Sequence, residues 1–160
     1  MRSHNVGLVC QSTNDEPKTC ENSIEITIPS LQEVNLNGAG SIGSEDTWQE
    51  EEFLGTLDGV GSLSLNVDVD KLEVEMGGAG SAKLSGKATT AELELSGVGS
   101  LSANDLEVQL ANIDLSGLGS TKLHVTGKLT GSISGMGSVL VKGDPEIEVE
   151  SDGFMAGRVV

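Results

Sequence analysis

The stretch Ser96-Gly97-Val98-Gly99-Ser100 decides the fold of this 160-residue chain, because it returns 20 residues later as Ser116-Gly117-Leu118-Gly119-Ser120. The shared Gly-x-Gly-Ser tetrad occurs six times, and its first glycines are separated by steps of 21, 19, 19, 20 and 18 residues. Self-similarity with a period of this length is typical of solenoid proteins. Glycine tolerates positive φ and close approach of neighbouring backbones. We therefore expect the coils to turn at structural corners formed by Gly38, Gly40, Gly59, Gly61, Gly78, Gly80, Gly97, Gly99, Gly117, Gly119, Gly135 and Gly137.

Apolar and polar residues alternate around each tetrad. The position three before the first glycine is polar in every copy, whereas the position two before it is apolar in every copy: Leu36, Leu57, Met76, Leu95, Leu115 and Ile133. A period of two indicates a β-strand with one buried face. A second strand is predicted after the tetrad, with inward residues Leu63, Leu65, Ala82, Leu84, Leu101, Ala103, Val139 and Val141.

The length of the repeat determines the fold class. About 19 residues are too few for a strand, a helix and two turns, so the repeat is all-β. Short strands that cannot bury their own apolar faces can do so by coiling, with equivalent strands stacked about 4.8 Å apart. The sequence predicts one parallel β-helix, a β-solenoid of six to seven coils over residues 24–160. A degenerate seventh copy begins at Gly153, and a polar segment or cap is expected over residues 1–23.

Stacking of coils places equivalent residues in columns. The apolar residue inside the tetrad is expected to form an interior column of Ala39, Val60, Ala79, Val98, Leu118 and Met136. The last tetrad residue is expected to form a ladder of Ser41, Ser62, Ser81, Ser100, Ser120 and Ser138. Replacing Gly78 or Gly97 with valine should destabilise the fold strongly, because a side chain at a corner would meet the neighbouring coil.

Composition excludes several classes of partner. The chain has 25 Asp and Glu against 9 Lys and Arg, a net charge of −16, which disfavours nucleic acid and anionic membrane surfaces. No apolar run approaches the roughly 18 to 20 residues of a membrane span. Hydrophobic residues are 36% of the chain, enough for a core, but aromatic residues are only 2%.

Outward acidic residues should also stack. The repeat places Glu73 over Glu92, and Glu75 over Glu94 and Asp114. Like charges one coil apart cost stability unless water, salt or cations screen them. The columns are interpreted either as a solvated face that keeps the solenoid soluble or as a weak calcium-binding surface. Glu75, Glu94 and Asp114 are candidate ligand-binding residues.

The only tryptophan of the chain, Trp48, lies in the most distinctive departure from the repeat, the acidic segment of residues 44–53. An exposed indole beside carboxylates could stack on a sugar, so Trp48 is a fourth candidate ligand-binding residue. Alternatively, Trp48 and Phe53 cap the end of the apolar core.

The sequence matches catalytic and cofactor-binding motifs only weakly. The stretch Gly38 to Gly43 matches a dinucleotide fingerprint in letters, but it lies in a repeat corner instead of a βαβ unit. Only Lys83 and Lys122 recur as outward bases. No cofactor, metal site or catalytic residue is predicted. Cys10 and Cys20 could form a disulfide in an oxidising compartment or remain free thiols.

The tandem Ser-Gly-x-Gly-Ser corners and the terminal Val141-Lys142-Gly143-Asp144-Pro145 resemble the auto-transporter adhesin head domain, or GIN domain, of bacterial envelope proteins. The resemblance covers roughly residues 24 to 160. It implies a right-handed parallel β-helix located outside the cytoplasm, in the cell envelope, the periplasm or the medium. It brings no catalytic residues.

The sequence therefore favours a non-enzymatic adhesion or interaction module that presents stacked faces to a surface polysaccharide or a protein partner. A purely structural head or stalk is the alternative, and a carbohydrate-active enzyme is a third, by analogy with other β-helices. A homo-oligomer, the ligand and the mode of anchoring are left open.

Overall fold

A computed structural model describes residues 4–10, 23–152 and 155–159. This part of the chain is all-β, with eleven strands: β1 His4–Cys10, β2 Ser23–Ile28, β3 Glu33–Leu36, β4 Ala39–Leu57, β5 Val60–Met76, β6 Ala79–Leu95, β7 Val98–Leu115, β8 Leu118–Ile133, β9 Met136–Lys142, β10 Glu146–Ser151 and β11 Met155–Val159. Each strand from β4 to β9 begins at the residue between the two glycines of a tetrad.

The long strands stack as successive coils of one β-solenoid of about six turns. The order in the sheet is β11-β9-β8-β7-β6-β5-β4-β1-β2, with β10 beside β8 and β3 beside β4. All pairs from β3 onward are parallel, whereas β1 runs antiparallel to both β4 and β2 and so covers the edge of the first coil. At the other end Met155 pairs with Gly137, which keeps the 18-residue step of the degenerate seventh copy. Gly153 itself lies outside the described residues, as does Cys20.

The predicted alternation is confirmed. All six residues two before a tetrad are buried, and so are the eight predicted inward residues of the following strands. Their neighbours along each strand are partly or fully exposed, as in the pattern of β5. The core is therefore a set of aliphatic columns that run parallel to the solenoid axis, and one column starts with Phe53 and narrows through Leu72 to Ala91.

The prediction of an interior column inside the tetrads is wrong. Val60 is 64% exposed and Met136 is 65% exposed, and the other four residues of the column are also exposed. The period of two continues through the corner, so that Leu57 is buried, Asp58 is exposed and Val60 points outward again. The six residues do align in register, but they form a ridge on the surface. We call this set, Ala39, Val60, Ala79, Val98, Leu118 and Met136, the apolar ridge.

The tetrad glycines are required because neighbouring backbones approach closely. The Gly59 carbonyl accepts a hydrogen bond of 2.9 Å from the Ala79 amide of the next coil. A Cβ on Gly78 would lie 2.0 Å from that same oxygen. Positive φ plays no part at the tetrads, since the described glycines with positive φ are Gly86, Gly131 and Gly143. The serine ladder after the tetrads is confirmed by the register.

Local bulges absorb the differences in coil length. Gly43 pairs with Ser64, whereas Thr47 pairs with Asn66, so three residues of β4 face one residue of β5. A β-bulge accommodates extra residues in one strand without loss of pairing on either side. The 21-residue step is therefore a bulge at the start of the acidic segment, and the whole of this segment belongs to strand β4.

Alanine at two equivalent glycines should affect stability to very different extents. In Gly78→Ala the new methyl group meets the Gly59 carbonyl, so we expect the free energy of unfolding to fall by at least about 3 kcal/mol, or roughly 6 to 12 °C in melting temperature. A methyl group on Gly38 would meet no other atom within 4 Å, so Gly38→Ala should change stability by less than about 1 kcal/mol. Thermal melts followed by circular dichroism measure both variants. Equal melting temperatures would contradict this account of the corner.

Candidate functional site

Three of the four predicted ligand-binding residues lie together. Glu75 pairs with Glu94, and Glu94 pairs with Asp114, so their side chains form one outward column, and all three are exposed. With Glu73 and Glu92 they line a shallow depression of about 240 Å³. The predicted stacking of carboxylates is confirmed. We call Glu75, Glu94 and Asp114 the carboxylate column.

Lys71 offsets the neighbouring acidic pair. Its Nζ lies 3.1 Å from a carboxylate oxygen of Glu92 and 3.5 Å from one of Glu73, so one ammonium bridges two coils. The hydrogen bond to Glu92 and the negative charges of Glu92 and Glu73 raise the pKa of Lys71 above its ordinary 10.5. The raised pKa means that this interaction stabilises the fold below pH 10.5 and is lost as the pH rises through the pKa of the folded protein.

Trp48 does not join the carboxylate column. Its side chain is 0% exposed and its backbone pairs with Val67, so the indole lies in the core at the first long coil. Phe53 is also buried, at 2%. An indole with no accessible face offers no stacking platform for a sugar, and the expectation of an exposed Trp48 is corrected. The two rings fill the core near its N-terminal end, as the alternative interpretation predicted.

A larger depression, of about 530 Å³, is lined by residues that precede the carboxylate column by five to seven positions on each coil. Sequence reasoning missed this feature, which we call the trough. It crosses strands β4 to β7 and carries donors as well as acceptors. Its polar lining includes Glu50, Asp68, Asp70, Lys87, Thr89 and Glu107.

The residues of the trough are brought together by strand pairing that cannot be predicted from the spacing of the repeats alone. Asp68 pairs with Lys87, and Lys87 pairs with Glu107, although the second pair lies beyond a shift in register. Thr89 donates a hydrogen bond of 3.5 Å to Asp70. The alternation of outward Asp68 and Asp70 around buried Val69 is visible in the sequence and could have indicated part of the trough. The position of Glu107 could not be predicted in this way, because it follows from the bulge in β7.

The described part of the chain contains neither a cluster of metal ligands nor a membrane-spanning helix. There, no three His, Cys, Asp or Glu side chains converge in a way that could hold a metal ion. The same residues include no helix with the length and apolar character needed to cross a membrane.

The fold and its surface define a β-solenoid whose outward side chains repeat in columns. The chain belongs to the family described as "Putative auto-transporter adhesin, head GIN domain", whose model matches residues 8–145. The resemblance found in the sequence is thereby confirmed. The family is described as an adhesin family and not as an enzyme family, and it points to a cell-envelope or extracellular protein.

Two solved structures share the fold. One is described as a "putative adhesin" from Bacteroides fragilis, with a TM-score of 0.83 and 23% identity over 92% of this chain and 69% of that one. The other is described as a "Putative lipid binding protein" from Parabacteroides distasonis, with a TM-score of 0.65 and 22% identity over 81% of this chain and 54% of that one. No curated protein matches this chain significantly. At these identities the likeness shows the fold, and the family supports an adhesion or structural module.

Removing the bridging ammonium should make stability depend more strongly on salt. We expect Lys71→Gln to lower the melting temperature at low ionic strength, because Glu73 and Glu92 then repel each other without compensation. The difference from the wild type should shrink in 1 M NaCl, where the Debye length is about 3 Å. Lys142→Gln is the matched control, since it removes one exposed lysine that forms no ion pair among the described residues. Equal salt dependence of the two variants would count against the bridge.

Proposed function

We propose that this protein is a non-enzymatic interaction module that binds a surface polysaccharide along the trough. The proposal rests on one observation: donors and acceptors from four stacked strands line a single elongated depression. Solenoids commonly bind partners along extended surfaces of this kind. A polymer with its own repeat could contact equivalent positions on successive coils, which are spaced about 4.8 Å apart.

The side chains of the trough suit sugar hydroxyl groups. Asp68 and Glu107 accept hydrogen bonds, whereas Lys87, Thr89 and Gln109 can donate them. With five carboxylates and one lysine among its lining residues, the trough favours neutral or amino sugars over polyuronides. The absence of an accessible indole shifts recognition from ring stacking to hydrogen bonding.

A purely structural head or stalk is the second candidate. The burial of Trp48 favours it, because the only tryptophan of the chain contributes to the core and not to a binding surface. Such a module would hold neighbouring parts of an envelope protein apart and would bind no glycan.

A glycan array distinguishes the two functions. The labelled protein is applied to neutral, amino-sugar and polyuronide glycans, with and without millimolar calcium. We expect a related group of neutral or amino-sugar polymers to bind, and we expect the double variant Asp68→Asn, Glu107→Gln to bind at least about tenfold more weakly. The matched control is Asp144→Asn, Glu150→Gln, which removes two exposed carboxylates outside the trough.

An array without binding would favour the structural head. Binding of polyuronides only in the presence of calcium would overturn the preference for neutral sugars and would support cation binding by the acidic surface. Equal loss of binding in the trough variant and its control would show that total charge, and not the trough, determines recognition.

A further inference from the structure

The apolar ridge holds four of the seven large hydrophobic residues that are exposed in the described part of the chain. Val60, Val98, Leu118 and Met136 are 64%, 57%, 47% and 65% exposed, and together they leave on the order of 400 Å² of mostly apolar area open. The ridge continues in register from β4 to β9, a length of about 24 Å at 4.8 Å per step. An ordered line of apolar side chains on a chain with a net charge of −16 suggests a contact surface.

The ridge separates two unlike faces. Four residues before the ridge lies the carboxylate column, with Glu75, Glu94 and Asp114 on three successive coils. Four residues after the ridge, the same three coils carry Lys83, Ser102 and Lys122, which are also in register. All six positions are at least partly exposed, and among the described residues Lys83 and Lys122 form no ion pair.

The two faces are complementary on the same coil. Glu75 and Lys83 flank Ala79 at equal distances along the chain, and Asp114 and Lys122 flank Leu118 in the same way. The positions directly beside the ridge add almost no charge. Asp58 is the one charged residue among them, and the others are Asn37, Gly77, Ser96, Ser116 and Ser134 on one side and Ser41, Ser62, Ser81, Ser100, Ser120 and Ser138 on the other.

We propose that the apolar ridge is the seam of a parallel homodimer, in which a second copy is related by a two-fold axis along the solenoid. This symmetry places each ridge residue against its own equivalent. It also places Lys83 opposite Glu75 of the second copy, and Lys122 opposite Asp114 of the second copy. An antiparallel dimer would bring the two carboxylate columns together, and repulsion between like charges opposes that arrangement.

The available area fits a weak dimer. Two ridges with their flanking serine and glycine columns would bury on the order of 1,000 Å² in total, near the lower limit of specific interfaces. An apolar centre with an uncharged surround and charges outside it is also the ordinary arrangement of an interface. The carboxylate column then binds a second copy of this chain, and the trough stays free for another ligand.

Charge reversal tests the seam. Sedimentation velocity over about a hundred-fold range of concentration should show wild-type protein passing from 16.5 kDa towards twice that mass. Lys83→Glu with Lys122→Glu should abolish association, because carboxylates then face carboxylates. Glu75→Lys with Asp114→Lys should also abolish it. An equimolar mixture of the two variants should associate again, since each then presents the charge that the other lacks. Unchanged circular dichroism confirms that both variants are folded.

Cross-linking tests the orientation. In a background with Cys10→Ser and Cys20→Ser, oxidised Val98→Cys should form a disulfide-linked dimer, because the parallel seam places this position against itself. Ser64→Cys should form no disulfide-linked dimer, because the parallel seam places position 64 opposite position 56 of the second copy. Wild-type protein that is monomeric at every concentration, or Val98→Cys that cross-links no better than Ser64→Cys, would overturn the proposal. Monomeric protein that floats with neutral phosphatidylcholine vesicles would also overturn it and assign the ridge to a lipid surface.

Discussion

The close contact between glycines of successive coils is the constraint on which the rest of the structure depends. At each corner a glycine carbonyl accepts a hydrogen bond from the coil above, and the first glycine of that coil leaves no room for a methyl group. This contact sets the stacking distance and keeps the register the same from coil to coil. Because the register is kept, a short repeat produces columns, both the aliphatic columns of the core and the polar columns of the surface.

Surface chemistry follows from that register. Like charges at the same position of successive coils repel each other and lower the stability of the fold. The chain offsets this repulsion differently at different columns. Lys71 bridges Glu73 and Glu92 across two coils, whereas the carboxylate column has no such lysine and stays exposed. In our account the missing positive charge comes from a second copy. The trough mixes charges within the chain, with Lys87 between Asp68 and Glu107, and is therefore better suited to a polymer of sugars.

Period and alternation in the sequence were sufficient to predict the solenoid, its buried columns and the stacking of Glu75, Glu94 and Asp114. The same alternation, applied through the corner, would also have placed Val60 outside. The apolar character of Val60 and its equivalents suggested burial, but their side chains follow the period of two and point outward, so that prediction was wrong. The position of Trp48 was ambiguous because an aromatic residue beside acids suits a binding surface as well as a buried end of the core. The trough could not be predicted, because the place of Glu107 depends on a bulge that shifts the register inside a coil.

Deleting one whole coil tests the central claim most directly. Removal of residues 79–97 takes out 19 residues and joins Gly78 to Val98, which restores a complete tetrad. The account predicts that the shortened protein keeps its strand signal in far-ultraviolet circular dichroism and melts cooperatively, whereas removal of residues 79–87, about half a coil, abolishes the fold. A whole-coil deletion that is as unfolded as the half-coil deletion would contradict the claim that interchangeable coils, held in register at their glycine corners, build this protein.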